Sequence, residues 1–296
     1  MGSEVVTKLK GIEVECSTHC NWRCVYCPVS QDPKPPRSMD IELFKHILKK
    51  AVAHQSIEIV SINAYCEPSI DKGFEERLHA IANTPLRLNL YTNGTGITLD
   101  HIKLLQQTRI LHAIIFNFPS LDKARHAALT QSHFYDKSRE AIDLCLKYQL
   151  TVGLSVQGTT EEIQENFPGI FAWYGDKLQF EPQHNIMALR GLSSDRCGVL
   201  KNDRYYLGVH LNRPLIPCPV PESWVYLNVD GDLFLCCEDY YQTTKYANIR
   251  DGSIEELMQR RVALLPENCK EDSICHRCSL MAKLLHKKGT QLNVIQ

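Results

Sequence analysis

No stretch of this 296-residue chain approaches the roughly 18 apolar residues of a membrane-spanning helix, and residues 1–10 lack the apolar run of a secretion signal. A cytoplasmic protein with no membrane partner is expected. An excess of charge of either sign is also missing. The 33 Lys and Arg residues face 34 Asp and Glu residues, for a net charge of -1, and the basic residues form no run that would track a phosphate backbone. A nucleic-acid partner is therefore not expected. No internal repeat or low-complexity tract interrupts the chain. Cysteine, by contrast, is abundant. Thirteen cysteines in a reducing compartment point to metal binding or thiol chemistry, because disulfides rarely persist there. With 44% hydrophobic residues the chain can bury a full core, enough for one domain and a small appendage.

Short β-rich runs alternate with helix-period segments up to about residue 182, the pattern of a parallel sheet with crossover helices. Strands are predicted at 11–15, 57–62, 86–91, 112–116, 151–156 and 177–181. Helices are predicted at 40–52, 72–82, 99–107, 136–148 and 161–173. Six such units suggest an α/β fold, a partial (β/α)6 TIM-type barrel whose functional loops follow the strands' C-terminal ends. Beyond them come loops, a hairpin turning at Asp230-Gly231 and a helix at 253–264. The expected division is a barrel at 8–215 and a second module at 216–296.

Cys20, Cys24 and Cys27 follow the first strand as C-x3-C-x2-C, with aromatic Tyr26 before the last cysteine. Three thiolates suit a soft metal centre. On a four-iron cluster they leave one iron open to a small molecule, as catalytic metal sites keep a vacant position. A zinc loop is the alternative, and it needs a fourth ligand from His19 or Cys16.

The spacing, the aromatic and the position after the first strand resemble the signature of the radical SAM superfamily. The resemblance implies a 4Fe-4S cluster that binds S-adenosylmethionine at its open iron and releases a 5'-deoxyadenosyl radical. Ala64-Tyr65-Cys66-Glu67-Pro68 resembles the family's G-G-E-P motif, which puts Glu67 on the cofactor's amino group, with Cys66 where glycine is usual. Asn117 is placed, by the same resemblance, to bond the ribose hydroxyls. The segment 154–161, containing Gln157, resembles the family's G-x-I-x-G-x-x-E stretch near the adenine. Tyr26, Glu67, Asn117 and Gln157 are thus the implied cofactor-binding residues.

Four further thiols, Cys218, Cys236, Cys275 and Cys278, are spaced through the second module and would close a metal site completely. A four-cysteine zinc site fits that count. The Cys-Pro-Val-Pro string, the Gly-x4-Cys-x-Glu-Asp run and Asn248-Ile249 resemble the twitch, or shortened SPASM, domain, which implies one auxiliary 4Fe-4S cluster. Cys145 reads as core, while Cys16, Cys66, Cys197 and Cys269 receive no role.

Cys237 directly follows a proposed ligand. Strand alternation would turn it away from Cys236, toward the substrate. Paired cysteines here resemble those of radical SAM epimerases, in which a thiol returns a hydrogen atom to the substrate radical. Arg190-Gly191 resembles a segment near the active site of twitch dehydrogenases, so Arg190 is expected to orient a polar substrate. The leading expectation is epimerisation at a C–H stereocentre of a peptide residue, sugar or aminocyclitol in natural-product biosynthesis, with Cys237 as donor. An external flavodoxin- or ferredoxin-type protein would supply electrons. The alternatives are a two-electron dehydrogenase of a secondary alcohol, and a non-catalytic iron-sulfur or zinc binding protein.

Overall fold

The computed structural model describes residues 9–158, 169, 187–191, 196–200, 223–264, 274, 275 and 278. Its first six strands pair in sequence order and in parallel: β1 (Gly11–Val14), β2 (Ile59–Ile62), β3 (Arg87–Thr92), β4 (Leu111–Asn117), β5 (Val152–Gly158) and β6 (Met187–Gly191). The crossovers carry α1 (Ile41–Ala53), α2 (Phe74–Ala82), α3 (Leu99–Thr108), α4 (Lys123–Thr130) and α5 (Tyr135–Lys147). Among the described residues the sheet does not close. Its order, β6-β5-β4-β3-β2-β1-β7-β8-β9, makes it an open partial barrel.

The added strands are β7 (Trp224–Leu227), β8 (Asp232–Phe234) and β9 (Ala247–Asn248), followed by α6 (Ile254–Leu264). β7 lies parallel to β1, with Glu13 opposite Tyr226, and β8 returns antiparallel through the expected hairpin. Strands on both sides of the expected boundary at 215/216 therefore share one sheet. The sixth strand expected at 177–181 lies outside the described residues; among those described, β6 (Met187–Gly191) is the sixth parallel strand. The helix expected at 161–173 also lies outside them, apart from Gly169.

α4 is the element that periodicity misses. Its polar sequence has only a weak apolar stripe, and its signal is Asp122, whose carboxylate caps the Arg125 N–H at 2.6 Å.

Alternation along the strands gives the sheet two unlike faces. Ile12, Val14, Val60, Ile62, Leu88, Leu90, Ile114, Phe116, Leu154 and Val156 form one core with Phe44, Ile47, Leu78, Ile81, Ile102 and Ile142 of the helices. The other face carries a polar row on β7, β1, β2 and β3, which gives way to Ala113 on β4. In register across four strands it carries Tyr226, Glu13, Ser61 and Asn89. In most complete barrels the strand interiors read as apolar runs, so this polar row marks a face built to meet something other than helices.

The joint between β1 and β7 depends on Gly11. A Cβ there would come within 2.6 Å of the Trp224 ring and 2.8 Å of the Ile59 carbonyl oxygen. Gly11→Val should therefore destabilise the protein by about 1–3 kcal/mol, as overpacking does. Thermal unfolding should register a lower Tm; an unchanged Tm would mean that the two strands have room to part.

Candidate active site

Cys20, Cys24 and Cys27 sit on the loop after β1, and α4 holds that loop down. The Arg23 N–H bonds the Thr130 carbonyl at 3.1 Å and the Val25 N–H bonds that of Leu129 at 2.9 Å. Trp22 is buried and meets His126 edge-on, with centroids 5.2 Å apart. The Cys27 N–H to Cys24 carbonyl bond, 2.9 Å, closes the last turn of the motif. The three thiols thus share one small core with Trp22, Tyr26 and Leu129.

This donor set suits a cluster better than a single ion. Among the described residues no group of three His, Cys, Asp or Glu side chains is placed to hold one metal ion, whereas a four-iron cluster takes one thiolate per iron. Neither proposed fourth zinc ligand joins the thiols. Cys16 is buried in the helical core, and His19 is exposed. Burial pushes the Cys20 thiol up to about 12, so metal loading must displace protons.

Glu67 is buried, and its own chain surrounds it with donors. Oε1 accepts from the Ser69 N–H (3.0 Å), Ser69 Oγ (2.5 Å) and Thr92 Oγ1 (2.6 Å), and Oε2 accepts from the Asn93 N–H (2.5 Å). Burial raises its pKa and these bonds oppose the rise. Three donors crowd Oε1, which has about two acceptor sites to share among them, while only one reaches Oε2, so it is Oε2 that has room for a further donor.

The network continues into the cysteine loop. Asn93 Nδ2 donates to Asn21 Oδ1 and Asn21 Nδ2 to Thr95 Oγ1, both at 2.9 Å, while the Glu67 N–H bonds the His19 carbonyl at 2.9 Å. The Asn93-Gly94-Thr95-Gly96 segment is part of the candidate site that the motifs do not reveal. Its readable signs are the two glycines: Gly94 has φ of 83°, and a Cβ on Gly96 would lie 2.2 Å from the Ser69 carbonyl oxygen. The strained backbone in the Glu67 segment falls on Ala64, with φ of 82°, and not on Cys66, where the missing glycine raised the question.

Tyr26 and Asn117 are brought together. The Tyr26 hydroxyl donates to Asn117 Oδ1 at 3.1 Å, and Asn117 Nδ2 approaches Cys24 Sγ at 3.7 Å. Ser155 stands opposite Asn117 in the register, and Gln157 stands opposite Arg190. The backbone therefore puts Gln157 and Arg190 at neighbouring positions on adjacent strands.

In the second module, Cys236, Cys275 and Cys278 pack together with Cys197. Cys218 and Cys269 lie outside the described residues. Cys237 parts from Cys236, although not through strand alternation: β8 ends at Phe234, and the two cysteines lie at the start of a turn. The Asp239 N–H to Cys236 carbonyl bond, 3.1 Å, and the Tyr65 hydroxyl to Cys237 carbonyl bond, 2.5 Å, fix that turn. The Tyr226 side chain is a near neighbour of the Cys237 sulfur. Burial, with the charges of Glu13 and Glu238 behind it, raises the pKa of the Cys237 thiol.

Cys237 thus lies beside the polar row of the sheet. In and just beyond that row, Ser61 Oγ, Asn89 Oδ1 and Asn63 Oδ1 are buried without a hydrogen-bond partner. Buried polar atoms left this way await a ligand or water.

The family model of the radical SAM superfamily matches residues 14–167, more than half of the chain, and the chain belongs to that superfamily. The model of an iron-sulfur cluster-binding domain, SPASM, matches residues 218–279. Among solved structures, BtrN in complex with AdoMet and 2-DOIA superposes on 91% of this chain and 92% of its own, with a TM-score of 0.60 and 21% identity. SuiB of Streptococcus suis superposes on 93% of this chain and 72% of its own, with a TM-score of 0.65 and 13% identity. These likenesses are of fold. The tungsten-containing aldehyde ferredoxin oxidoreductase cofactor-modifying protein of Pyrococcus furiosus is 23% identical over 145 residues, 49% of this chain and 40% of that protein. The chain spans less than half the length of the curated relatives it matches.

The protein is thus a radical SAM enzyme with a SPASM domain. Its cofactors are S-adenosylmethionine, a 4Fe-4S cluster and further iron-sulfur in the SPASM domain.

Glu67→Gln tests the network. Two of its partners, the Ser69 and Asn93 N–H groups, are fixed donors on different oxygens, so either orientation of the amide sets NH2 against N–H. The variant should lose about 1–3 kcal/mol of stability and bind S-adenosylmethionine more weakly, while keeping its iron. Chemical denaturation and equilibrium binding measure the two effects. Unchanged affinity would detach Glu67 from the cofactor.

Proposed function

We propose that this enzyme inverts a C–H stereocentre, with Cys237 returning the hydrogen atom. The observation that carries the reading is the divergence of neighbouring cysteines. Cys236 packs among Cys197, Cys275 and Cys278, and Cys237 lies beside Tyr226 and within electrostatic reach of Glu13, which stand opposite each other in the polar row. In this reading residues 8–215 form the radical-generating barrel and residues 216–296 hold one auxiliary 4Fe-4S cluster through Cys218, Cys236, Cys275 and Cys278. Cys20, Cys24 and Cys27 hold the first cluster.

When bound, the first cluster and S-adenosylmethionine supply a 5'-deoxyadenosyl radical that takes a hydrogen atom from substrate carbon. Tyr26 and Asn117 brace the cysteine loop from the end of β4, and Glu67 holds the loop that meets the cofactor's amino group. Gln157 and Arg190 extend the site along β5 and β6, where Arg190 orients a polar substrate. The Cys237 S–H bond then breaks toward the opposite face of the substrate radical, forming a C–H bond and leaving a thiyl on Sγ. One electron from a flavodoxin- or ferredoxin-type donor and one proton restore the thiol.

The unpartnered oxygens of Ser61, Asn63 and Asn89 support a substrate rich in hydrogen-bond donors, either a peptide backbone or a hydroxylated or aminated ring. No helix among the described residues is long and apolar enough to cross a membrane. With the balanced net charge, this favours a cytoplasmic site of action and a substrate that is not nucleic acid.

Turnover in deuterated water separates the candidate reactions. Inversion through a thiol that exchanges with solvent places one deuterium at the inverted carbon. Two-electron oxidation gives a product lighter by two hydrogen atoms and no such label. Cys237→Ala should keep its iron and still consume S-adenosylmethionine, yet form no inverted product. Product of unchanged stereochemistry and yield from this variant would end the assignment, and loss of iron would make Cys237 a ligand.

A further inference from the structure

Part of the hydrogen-bonding capacity of the sheet's polar face is unmet. Ser61 stands opposite Asn89 on the neighbouring strand, and both face away from the core that holds Val60, Ile62, Leu88 and Leu90. Asn63 follows β2 on the same face, because Ile62 before it is buried in the core and its own N–H still bonds the Val14 carbonyl, at 3.4 Å. Adjacent strands lie about 4.8 Å apart, and alternate residues of one strand about 6.6 Å apart. The three side chains therefore rise from one small triangle. A group seated over it is within hydrogen-bonding reach of all three.

Ser61 is 1% exposed, and its Oγ, like Asn63 Oδ1 and Asn89 Oδ1, is buried without a hydrogen-bond partner. Unpaired buried atoms destabilise the free protein, and three on one patch call for an occupant that completes them. Occupants differ in the donors they bring. A water brings two, a hydroxyl or a peptide N–H one, whereas a primary ammonium brings three and accepts nothing. The ammonium thus answers three acceptors with one atom, through charge-assisted bonds. Its charge also suits a row in which Glu13 stands opposite Ser61.

We infer that Ser61, Asn63 and Asn89 form a subsite for a primary ammonium group of the substrate. On β3, Asn89 lies four residues before Asn93, which bonds Glu67, so the subsite is about 13 Å along the strand from that network. The three residues set which substrate enters and how it lies, and take no part in the radical step. The inference rests on the reading that the polar face receives the substrate.

Cyclohexylamine, which is protonated at neutral pH, and cyclohexanol differ in the relevant group and little in size. Their binding to the reconstituted full chain with S-adenosylmethionine is followed by saturation-transfer NMR. The amine should bind saturably and the alcohol about tenfold more weakly. Asn89→Leu and Ser61→Ala should each keep the iron, weaken the amine by about tenfold and leave the alcohol unchanged. Each variant removes an unpaired buried atom, so neither should lower the Tm of the protein without substrate; loss of a structural hydrogen bond would lower it. Equal binding of the two rings, binding of neither, or parent affinity for the amine in both variants would overturn the subsite. A lower Tm in both variants would place the two side chains in the fold's own bonding and overturn it as well. Deuterium incorporation at an inverted carbon does not depend on these results, so the subsite and the role of Cys237 fail separately.

Discussion

A carboxylate removed from water has to be surrounded by donors, and the surroundings of Glu67 organise the candidate site. It is held by hydrogen bonds from the turn that follows it and from the end of β3. Because the Asn93 side chain reaches on to Asn21, the same network fixes the loop that carries the three cysteines. Three segments far apart in sequence are thereby held as one surface, and among the described residues the carboxylate has no ion-pair partner. Buried networks of this kind are stable when their members are satisfied, and here both carboxylate oxygens are engaged by donors of the chain.

The second constraint is the shared sheet. Because β7 extends the sheet from β1, the module that carries Cys236 and Cys237 begins beside the strand that leads into the first cysteine loop. Tyr65 completes the connection. Its hydroxyl holds the Cys237 carbonyl, and its ring meets Tyr240 edge-on at 4.8 Å. Lys34, paired with buried Glu15 at 2.8 Å, lies over both rings. One tyrosine within the cofactor-facing segment therefore touches the turn of the proposed hydrogen donor. Arg196 adds a further link, lying over the same ring while holding Glu238.

Much of this was legible in the sequence, for a physical reason. Strands β1 to β5 and helices α1, α2, α3, α5 and α6 carry strong period-two or period-3.6 patterns, because one face of each is buried in a single core. The cysteine spacings were legible because cluster chemistry dictates ligand type and separation. What escaped notice depends on contacts distant in sequence. The clamp of α4 on the cysteine loop comes from backbone groups of Leu129 and Thr130, which have no side-chain signature. The service of Asn93 and Thr95 to Asn21 appears only when β3 lies next to β2. The left-handed turn at Arg196-Cys197 gave no signal, because neither residue type nor spacing announces one.

The central claim is that Cys20, Cys24 and Cys27 hold a cluster that cleaves S-adenosylmethionine reductively. The most direct measurement is the formation of 5'-deoxyadenosine by anaerobically reconstituted, reduced protein supplied with S-adenosylmethionine. The account predicts its formation by the intact chain and none by the variant with all three cysteines replaced by Ala. No 5'-deoxyadenosine from intact protein carrying its full iron, or equal amounts from the two proteins, would contradict it.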